Sequence, residues 1–167
     1  MSRYRPPQPA SAAYITPEGY KALEEELQGI WKRRATVTAA LTAAAAEGDR
    51  SENAEYIYRK KELRELDRRI KYLQKRLPAL TQVNQTPTDK NKIYFGAWVR
   101  LADSDGNETV YRIVGPDETN AKKGYISMDS PLAKSLMKKT VDDEIQVQTP
   151  GGRIIVCVLE VSYSAIA

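Results

Sequence analysis

The chain of 167 residues contains no histidine and a single cysteine, Cys157. The absence of histidine removes the commonest general base and the commonest transition-metal ligand. With one cysteine no disulfide can form within the chain, so we expect a reducing, cytoplasmic location and a buried, hydrophobic role for Cys157. The longest apolar run, residues 154–159, is far shorter than the roughly twenty residues that cross a bilayer. Residues 1–13 lack the apolar core of a signal peptide, and we expect no membrane partner.

Charge is unevenly distributed along the chain. The totals are 26 Lys and Arg against 22 Asp and Glu, a formal net charge of +4. Residues 59–76 contain nine basic and three acidic residues, whereas residues 47–55 contain four acidic residues and one basic residue. A mild overall excess permits a polyanionic partner without requiring one. The two oppositely charged segments are therefore more informative than the total.

Two series of apolar residues, spaced alternately by three and four, are mirror images about residue 50. The first is Tyr20, Leu23, Leu27, Ile30, Val37, Leu41 and Ala44, and the second is Tyr56, Leu63, Leu66, Ile70, Leu73, Leu77 and Leu80. Two helices of one antiparallel coiled coil require this symmetry, because each seam residue must meet a seam residue of the partner helix. Arg34 and Arg59 interrupt the seam, and we expect their stems to lie along it with the charged ends in water.

Capping signals and breakers divide the chain into segments. Thr16 caps the first helix and Pro17 takes its first position; this helix runs to about Ala46, and the second runs from near Ser51 to about Leu77. The predicted segments are a flexible tail at 1–13, a coiled-coil hairpin at 14–80 with an acidic tip at 47–55, a linker at 81–92 and a second domain at 93–167.

The second domain has the alternation of short strands. These are predicted at Ile93–Leu101, Thr109–Val114, Gly124–Met128, Ile145–Gln148 and Arg153–Ser162. Ser130 and Pro131 provide the cap and first residue of a short helix. The fold class is therefore α+β: a helical hairpin followed by a small antiparallel sheet with one short helix. Trp98 and Tyr94 are expected in its core rather than at a ligand pocket.

Asp49 and Glu52 at the predicted tip allow two interpretations. Their D-x-x-E spacing is that of a capping box, a common signature at the start of a helix. Alternatively, two carboxylates can hold one Mg²⁺ whose remaining positions are filled by water and phosphate. They are too few for a stand-alone two-metal nuclease, so any phosphoryl chemistry must complete another protein's active site.

Four segments resemble a known family when taken in order along the chain. GDRSENAEY (48–56), YFGAWVRL (94–101), YRIVGPDE (111–118) and GYISMDSPLAKSLMKK (124–139) resemble the bacterial Gre transcript-cleavage factors. The tip sequence RSENAEY and the arm KKELRELDRRIKYLQKR are more similar to the GreB branch than to the GreA branch. The resemblance covers nearly the whole chain after residue 13.

The resemblance implies an accessory factor, not itself an enzyme, for bacterial RNA polymerase. Its coiled coil would enter the secondary channel, where Asp49 and Glu52 stabilise a second Mg²⁺ and a water. The polymerase then hydrolyses its own backtracked RNA. Glu55 would have a supporting electrostatic role at most. The family's second domain is similar to FKBP domains, but fold does not confer function and no isomerase activity is expected.

Two further sets of residues follow from the resemblance. The extruded 3′ segment of the nascent RNA would contact the basic arm through Arg59, Lys60, Arg64, Arg68 and Lys71. The alternative is a solvated face with ion pairs such as Glu62–Arg59 and Glu65–Arg69. Asp129, Ser130 and Pro131 would dock on the coiled coil at the rim of the secondary channel. The alternative is that the motif only starts the helix, with Ser130 as its cap.

Two rival functions stay open at this level. A non-cleaving regulator would occupy the same channel and inhibit polymerase, and a general RNA-binding coiled coil would bind free RNA without polymerase. The internally satisfied seam predicts a monomer in each case.

Overall fold

The computed structural model describes residues 9–48 and 52–167, which divide into two compact units. One unit is the helical segment Glu18–Leu80, and the other combines the residues up to Pro17 with Thr81–Ala167. Within the described residues, neither long helix has the apolar stretch needed to cross a membrane.

The helical unit contains two long helices, α1 (Pro17–Ala45) and α2 (Ala54–Ala79). Pro17 opens α1 as predicted, because its fixed φ suits the first helical position and its missing N–H costs nothing there. The second helix continues past the predicted end at Leu77. Pro78 lies inside its last turn, and the backbone N–H of Leu80 closes the helix on the carbonyls of Arg76 and Leu77.

Burial in the helical unit follows the predicted seam. The buried side chains are Leu23, Val37 and Ala44 of α1 and Ile70, Leu73 and Leu77 of α2, all of them members of the mirrored series. Among the described residues, the ion pairs between the two helices include Arg33–Glu62, Arg34–Asp67 and Arg69–Glu26. The mirror places Arg34 opposite Leu66, and its guanidinium binds the next residue, Asp67, at 2.6 Å. The two helices therefore meet in the predicted antiparallel register.

Arg34 and Arg59 are held at the edges of the seam by carboxylates. The hydrogen bond that Arg34 donates to Asp67, followed by the negative charge of that carboxylate, raises the pKa of Arg34. Arg59 binds Glu55 at 2.8 Å and Glu62 at 3.1 Å, and these hydrogen bonds raise its pKa. The guanidinium groups of Arg34 and Arg59, predicted to lie in water, are thus ion-paired. This pairing stabilises an arginine at a seam position without burying its charge.

The second unit begins with a pair of two-residue strands, β1 (Tyr14–Ile15) and β2 (Thr81–Gln82), which run parallel. The sequence pattern places them in the hairpin and the linker, but both belong to the unit that contains the larger sheet. A Cβ on Gly115 would lie 2.0 Å from the Tyr14 carbonyl oxygen. Glycine is therefore required where β1 crosses this backbone.

The larger sheet has five strands in the order β5-β4-β3-β7-β6. Their bounds are β3 Trp98–Asp103, β4 Glu108–Val114, β5 Tyr125–Ser127, β6 Glu144–Thr149 and β7 Gly152–Ser162. The strands pair antiparallel except that β5 runs parallel to β4, which corrects the expectation of a wholly antiparallel sheet.

The core of this unit lies on one face of the sheet, under the short helix α3 (Pro131–Leu136). Val99, Ile113 and Val158 of the sheet and Leu136 of α3 are all fully buried. The segment Ile93–Ala97, predicted as the start of the first strand, precedes β3 instead. Its ends, Ile93 and Ala97, are buried in the same core.

Candidate functional site

The tip of the hairpin lies between Ala45, the last residue of α1, and Ala54, the first of α2. Asp49, one of the two predicted site carboxylates, lies outside the described residues, as do Arg50 and Ser51. Glu52 is described: it is exposed and lies in the turn before α2. Among the described residues it has neither an ion-pair nor a hydrogen-bond partner.

Asn53 anchors the tip to both helices. Its side-chain oxygen accepts the backbone N–H of Tyr56 at 3.1 Å, and its side-chain amide donates to the Ala44 carbonyl at 2.8 Å. Asn53 is therefore the N-cap of α2. Glu52 lies before this cap and does not occupy the third helical position of a capping box. The capping-box interpretation of Asp49 and Glu52 is thus wrong, because Asn53 performs that role.

The acids near the tip differ in how their charge is compensated. Glu55 binds Arg59 at 2.8 Å, one turn along α2. Glu47 and Glu52 are exposed, with no ion pair within the described part of the chain. That part also contains no group of three or more His, Cys, Asp or Glu side chains arranged to hold a metal ion. Carboxylate oxygens are the ligands that Mg²⁺ prefers, and Glu52 is an exposed carboxylate in the described part of the tip.

Four of the five residues predicted to contact RNA lie on one face of α2. Lys60, Arg64, Arg68 and Lys71 are all exposed, and their spacings of four, four and three place them on one side of a helix. Lys75 is also exposed and continues the same spacing. It is absent from the predicted set, although its helical position already indicated the same face. We call the residues Lys60, Arg64, Arg68, Lys71 and Lys75 the cationic stripe.

Arg59 does not belong to the cationic stripe. Its side chain is 24% exposed and is bound by Glu55 and Glu62, so most of its charge is already compensated. Of the ion pairs in the alternative interpretation, Glu62–Arg59 is present. Arg69 is bound across the hairpin by Glu26, at 2.7 and 2.9 Å. The ion pairs therefore concentrate near the seam, and the outer face of α2 keeps an excess of positive charge.

The predicted docking residues lie at the start of α3. The Ser130 hydroxyl accepts the backbone N–H of Ala133 at 3.2 Å, and Ser130 is the N-cap as predicted. Pro131 is the exposed first residue of the helix. The carboxylate of Asp129 accepts the backbone N–H of Ala12 at 2.9 Å. This carboxylate thus holds the segment that precedes β1, a contact that the sequence pattern did not reveal.

Trp98 and Tyr94 were expected in the core, but both are only partly buried. Trp98 lies beside Arg112 and Tyr125. The alternation along the strand already indicated that Trp98 lies outside the core. Val99 is buried, and successive side chains of a strand point to opposite faces. Cys157 is also half-buried rather than fully buried.

Two family models together match most of the chain. The model described as "Transcription elongation factor, N-terminal" matches residues 13–81. The model described as "Transcription elongation factor, GreA/GreB, C-term" matches residues 88–163.

Curated relatives match over nearly the full length. A protein named transcription elongation factor GreB from Xanthomonas axonopodis pv. citri is 56% identical, with 99% of this chain and 100% of the relative covered. A protein of the same name from Pseudomonas aeruginosa is 54% identical, with 98% of each chain covered. Among solved structures, GreA factor homolog 1 of Thermus thermophilus is similar at 24% identity and a TM-score of 0.42, covering 89% of this chain and 97% of that chain. The chain belongs to the GreA/GreB family of transcription elongation factors, on its GreB branch.

Proposed function

We propose that this elongation factor inserts its hairpin tip into the secondary channel of bacterial RNA polymerase and stimulates the polymerase to cleave its own backtracked RNA. The observation that carries the proposal is the exposed carboxylate of Glu52, which lies beside an asparagine anchored to both helices. A coiled coil of two helices with 29 and 26 residues extends about 40 Å at ~1.5 Å per residue. That length suits a probe that reaches a recessed active site.

Asp49 and Glu52 would share an Mg²⁺ with the polymerase. Carboxylate oxygens fit this hard cation, and two of them fill only part of its octahedral shell. We expect the isolated protein not to hold the ion stably, and the remaining ligands to come from the polymerase and the RNA. When bound, the ion would promote ionisation of a water and offset the charge of the phosphate under attack. The protein's own contribution is to carry two negative charges to the site and to hold Glu52 beside a fixed cap.

The cationic stripe supports a contact with the extruded 3′ segment of the nascent RNA. Its lysines and arginines are exposed, and such groups hold phosphates without reading the bases. We assign the RNA contact to Lys60, Arg64, Arg68 and Lys71, and we give Arg59 the lesser share because two carboxylates already bind it.

The second unit would dock at the rim of the channel through Asp129, Ser130 and Pro131. Ser130 is occupied as a helix cap, and one oxygen of the Asp129 carboxylate accepts the Ala12 N–H. Pro131 and the other Asp129 oxygen are therefore the groups we expect to contact the polymerase. We also propose that the factor acts as a monomer, since the seam of α1 is covered by α2 of the same chain. A concentration-independent dimer in sedimentation would contradict this.

The decisive experiment uses polymerase halted in a backtracked state, with 3′-labelled RNA and Mg²⁺. We expect short 3′ fragments with the wild-type factor and none above background with Asp49→Ala/Glu52→Ala. Glu47→Gln is the matched control, because it removes an exposed acid close to the same tip without touching the proposed pair. It should keep full cleavage.

Two other results would redirect the interpretation. Slowed elongation without cleavage by the wild-type factor would indicate a regulator that blocks the channel. Tight, strongly salt-dependent binding to free RNA in a filter assay, with no need for polymerase, would indicate a general RNA-binding coiled coil.

A further inference from the structure

Three residues form a row across three strands of the larger sheet. Trp98 of β3 is paired in register with Arg112 of β4, and Arg112 is paired with Tyr125 of β5. Paired residues of neighbouring strands point to the same face. Since the adjacent residues Val99 and Ile113 are fully buried in the core, the row lies on the opposite, outer face.

The side chains of the row hold the guanidinium in place. The Arg112 guanidinium carbon lies 5.3 Å from the centroid of the Trp98 ring and 5.6 Å from that of Tyr125. The two rings are 5.6 Å apart with an interplanar angle of 79°, and Nε of Arg112 donates to the Gly96 carbonyl at 3.4 Å. Aromatic and backbone contacts of this kind restrict an arginine without neutralising its charge.

A second cation lies beside the row. The ammonium group of Lys123 is 5.8 Å from the Tyr125 ring centroid. Within the described part of the chain, neither Arg112 nor Lys123 has a carboxylate at ion-pairing distance. Both side chains therefore present uncompensated positive charge at one end of the outer face.

Arg100 offers an internal comparison on the same face. It lies two residues after Trp98 on β3 and is bound by Glu160 of β7 at 3.3 Å and Glu108 of β4 at 3.5 Å. Arg100 thus has two carboxylate partners, whereas Arg112 has aromatic neighbours and no carboxylate partner among the described residues. The strand pairing that supplies acids to Arg100 does not supply one to Arg112.

The geometry of Arg112 indicates which chemical group can bind its guanidinium. A planar guanidinium whose Nε is occupied still offers the N–H groups of its two terminal nitrogens, which match the two oxygens of a carboxylate. The guanidinium already lies over the two rings, so the row is not an open platform for stacking nucleobases. A carboxylate on a protein satisfies the site better than a nucleic acid does.

We propose that Trp98, Arg112 and Tyr125, with Lys123, form a carboxylate-binding site that takes an Asp or Glu side chain from an acidic segment of a protein partner. The identification of that partner as RNA polymerase rests on the function proposed above. Tyr125 begins the strand that leads, within a few residues, to Asp129–Pro131. Along the chain, the site therefore lies close to the residues proposed to dock at the rim of the channel.

The first test measures the affinity of labelled factor for core RNA polymerase at moderate salt. Because charge-assisted hydrogen bonds are among the strong ones, Arg112→Gln should weaken binding roughly 10-fold or more. Arg100→Gln is the matched control and should stay within about twofold, since its partners are in the same chain. Cleavage at saturating factor should be unchanged in both variants, because neither residue is at the tip. Equal affinity of Arg112→Gln and wild type would overturn the proposal.

A second test separates the site from the proposed function. The chain has two tryptophans, so in a Trp31→Phe background the fluorescence reports on Trp98 alone. Titration with a hexaglutamate peptide should give a saturable change that Arg112→Gln abolishes and Arg112→Lys weakens. This readout holds even if the wild-type factor fails to bind polymerase, a result that would refute the proposed function instead. No response to the peptide, or a response only to an RNA hexamer, would overturn the carboxylate site.

Discussion

Replacing Asn53 with alanine should loosen the tip of the hairpin while leaving the rest of the coiled coil intact. The Asn53 side chain makes two hydrogen bonds: it caps α2 by accepting the Tyr56 N–H, and it donates to the Ala44 carbonyl at the end of α1. Loss of an N-cap costs about 1 kcal/mol, and loss of a neutral hydrogen bond costs about 1 kcal/mol more. The local opening free energy should therefore fall by about 2 kcal/mol.

Amide hydrogen exchange measures this quantity residue by residue. About 2 kcal/mol corresponds to a roughly 30-fold faster exchange, because each 1.4 kcal/mol is a factor of ten. The increase should appear at the amides of Tyr56 and Ile57, which are bonded to the Asn53 side chain and carbonyl. Amides near Leu73, deep in the seam, should not change.

A matched variant separates the two contacts. Asn53→Asp keeps the acceptor of the cap but removes the donor to Ala44, so only about 1 kcal/mol should be lost. Its exchange should accordingly lie between those of Asn53→Ala and wild type. Unchanged exchange of the Tyr56 amide in Asn53→Ala would refute the conclusion that Asn53 anchors the tip.

Two further predictions concern other parts of the molecule. The pKa of Glu62 is lowered from its ordinary value of 4.5, chiefly by the hydrogen bond that Arg33 donates to it. The ionised Glu62 therefore stabilises the folded protein above pH 4.5, and this stabilisation is lost as the pH falls through the lowered pKa. The melting-temperature difference between wild type and Glu62→Gln should accordingly be largest at neutral pH and vanish in acid, and a pH-independent difference would contradict this. Gly115→Ala should cost about 1–3 kcal/mol from steric overlap in chemical denaturation of the intact chain, because its Cβ would lie 2.0 Å from a carbonyl oxygen of β1. Gly29→Ala, which meets nothing within 4 Å inside α1, should instead stabilise by about 0.5–1 kcal/mol, and equal effects of the two substitutions would be inconsistent with the packing of β1.

Several features were predictable because their causes are local or periodic. Pro17 and Ser130 mark helix starts through their own backbone and side-chain chemistry, and both do so in the structure. The register of the hairpin was predictable from the mirrored seam, since a short connection leaves two antiparallel helices few ways to bury the same stripes.

Other features depended on contacts that no local pattern encodes. The cap of α2 is Asn53 rather than Asp49, because the amide of Asn53 also finds the carbonyl of Ala44 on the other helix. Tyr14–Ile15 and Thr81–Gln82 are too short and too far apart in the chain for period-two alternation to reveal them. Asp129 was predicted to dock on the polymerase, and the sequence gives no sign that its carboxylate also accepts the backbone N–H of Ala12.

The sequence by itself determined the two helices, their register, the family and the charge of tip and arm, because these follow from spacing along one chain segment. Only the tertiary structure decided which charges stay uncompensated. Arg100 and Arg112 look alike in the sequence, but strand pairing brings Glu108 and Glu160 to the first and aromatic rings to the second. The electrostatic state of a side chain is set by neighbours from other turns and strands, and their positions are known only once the chain has folded.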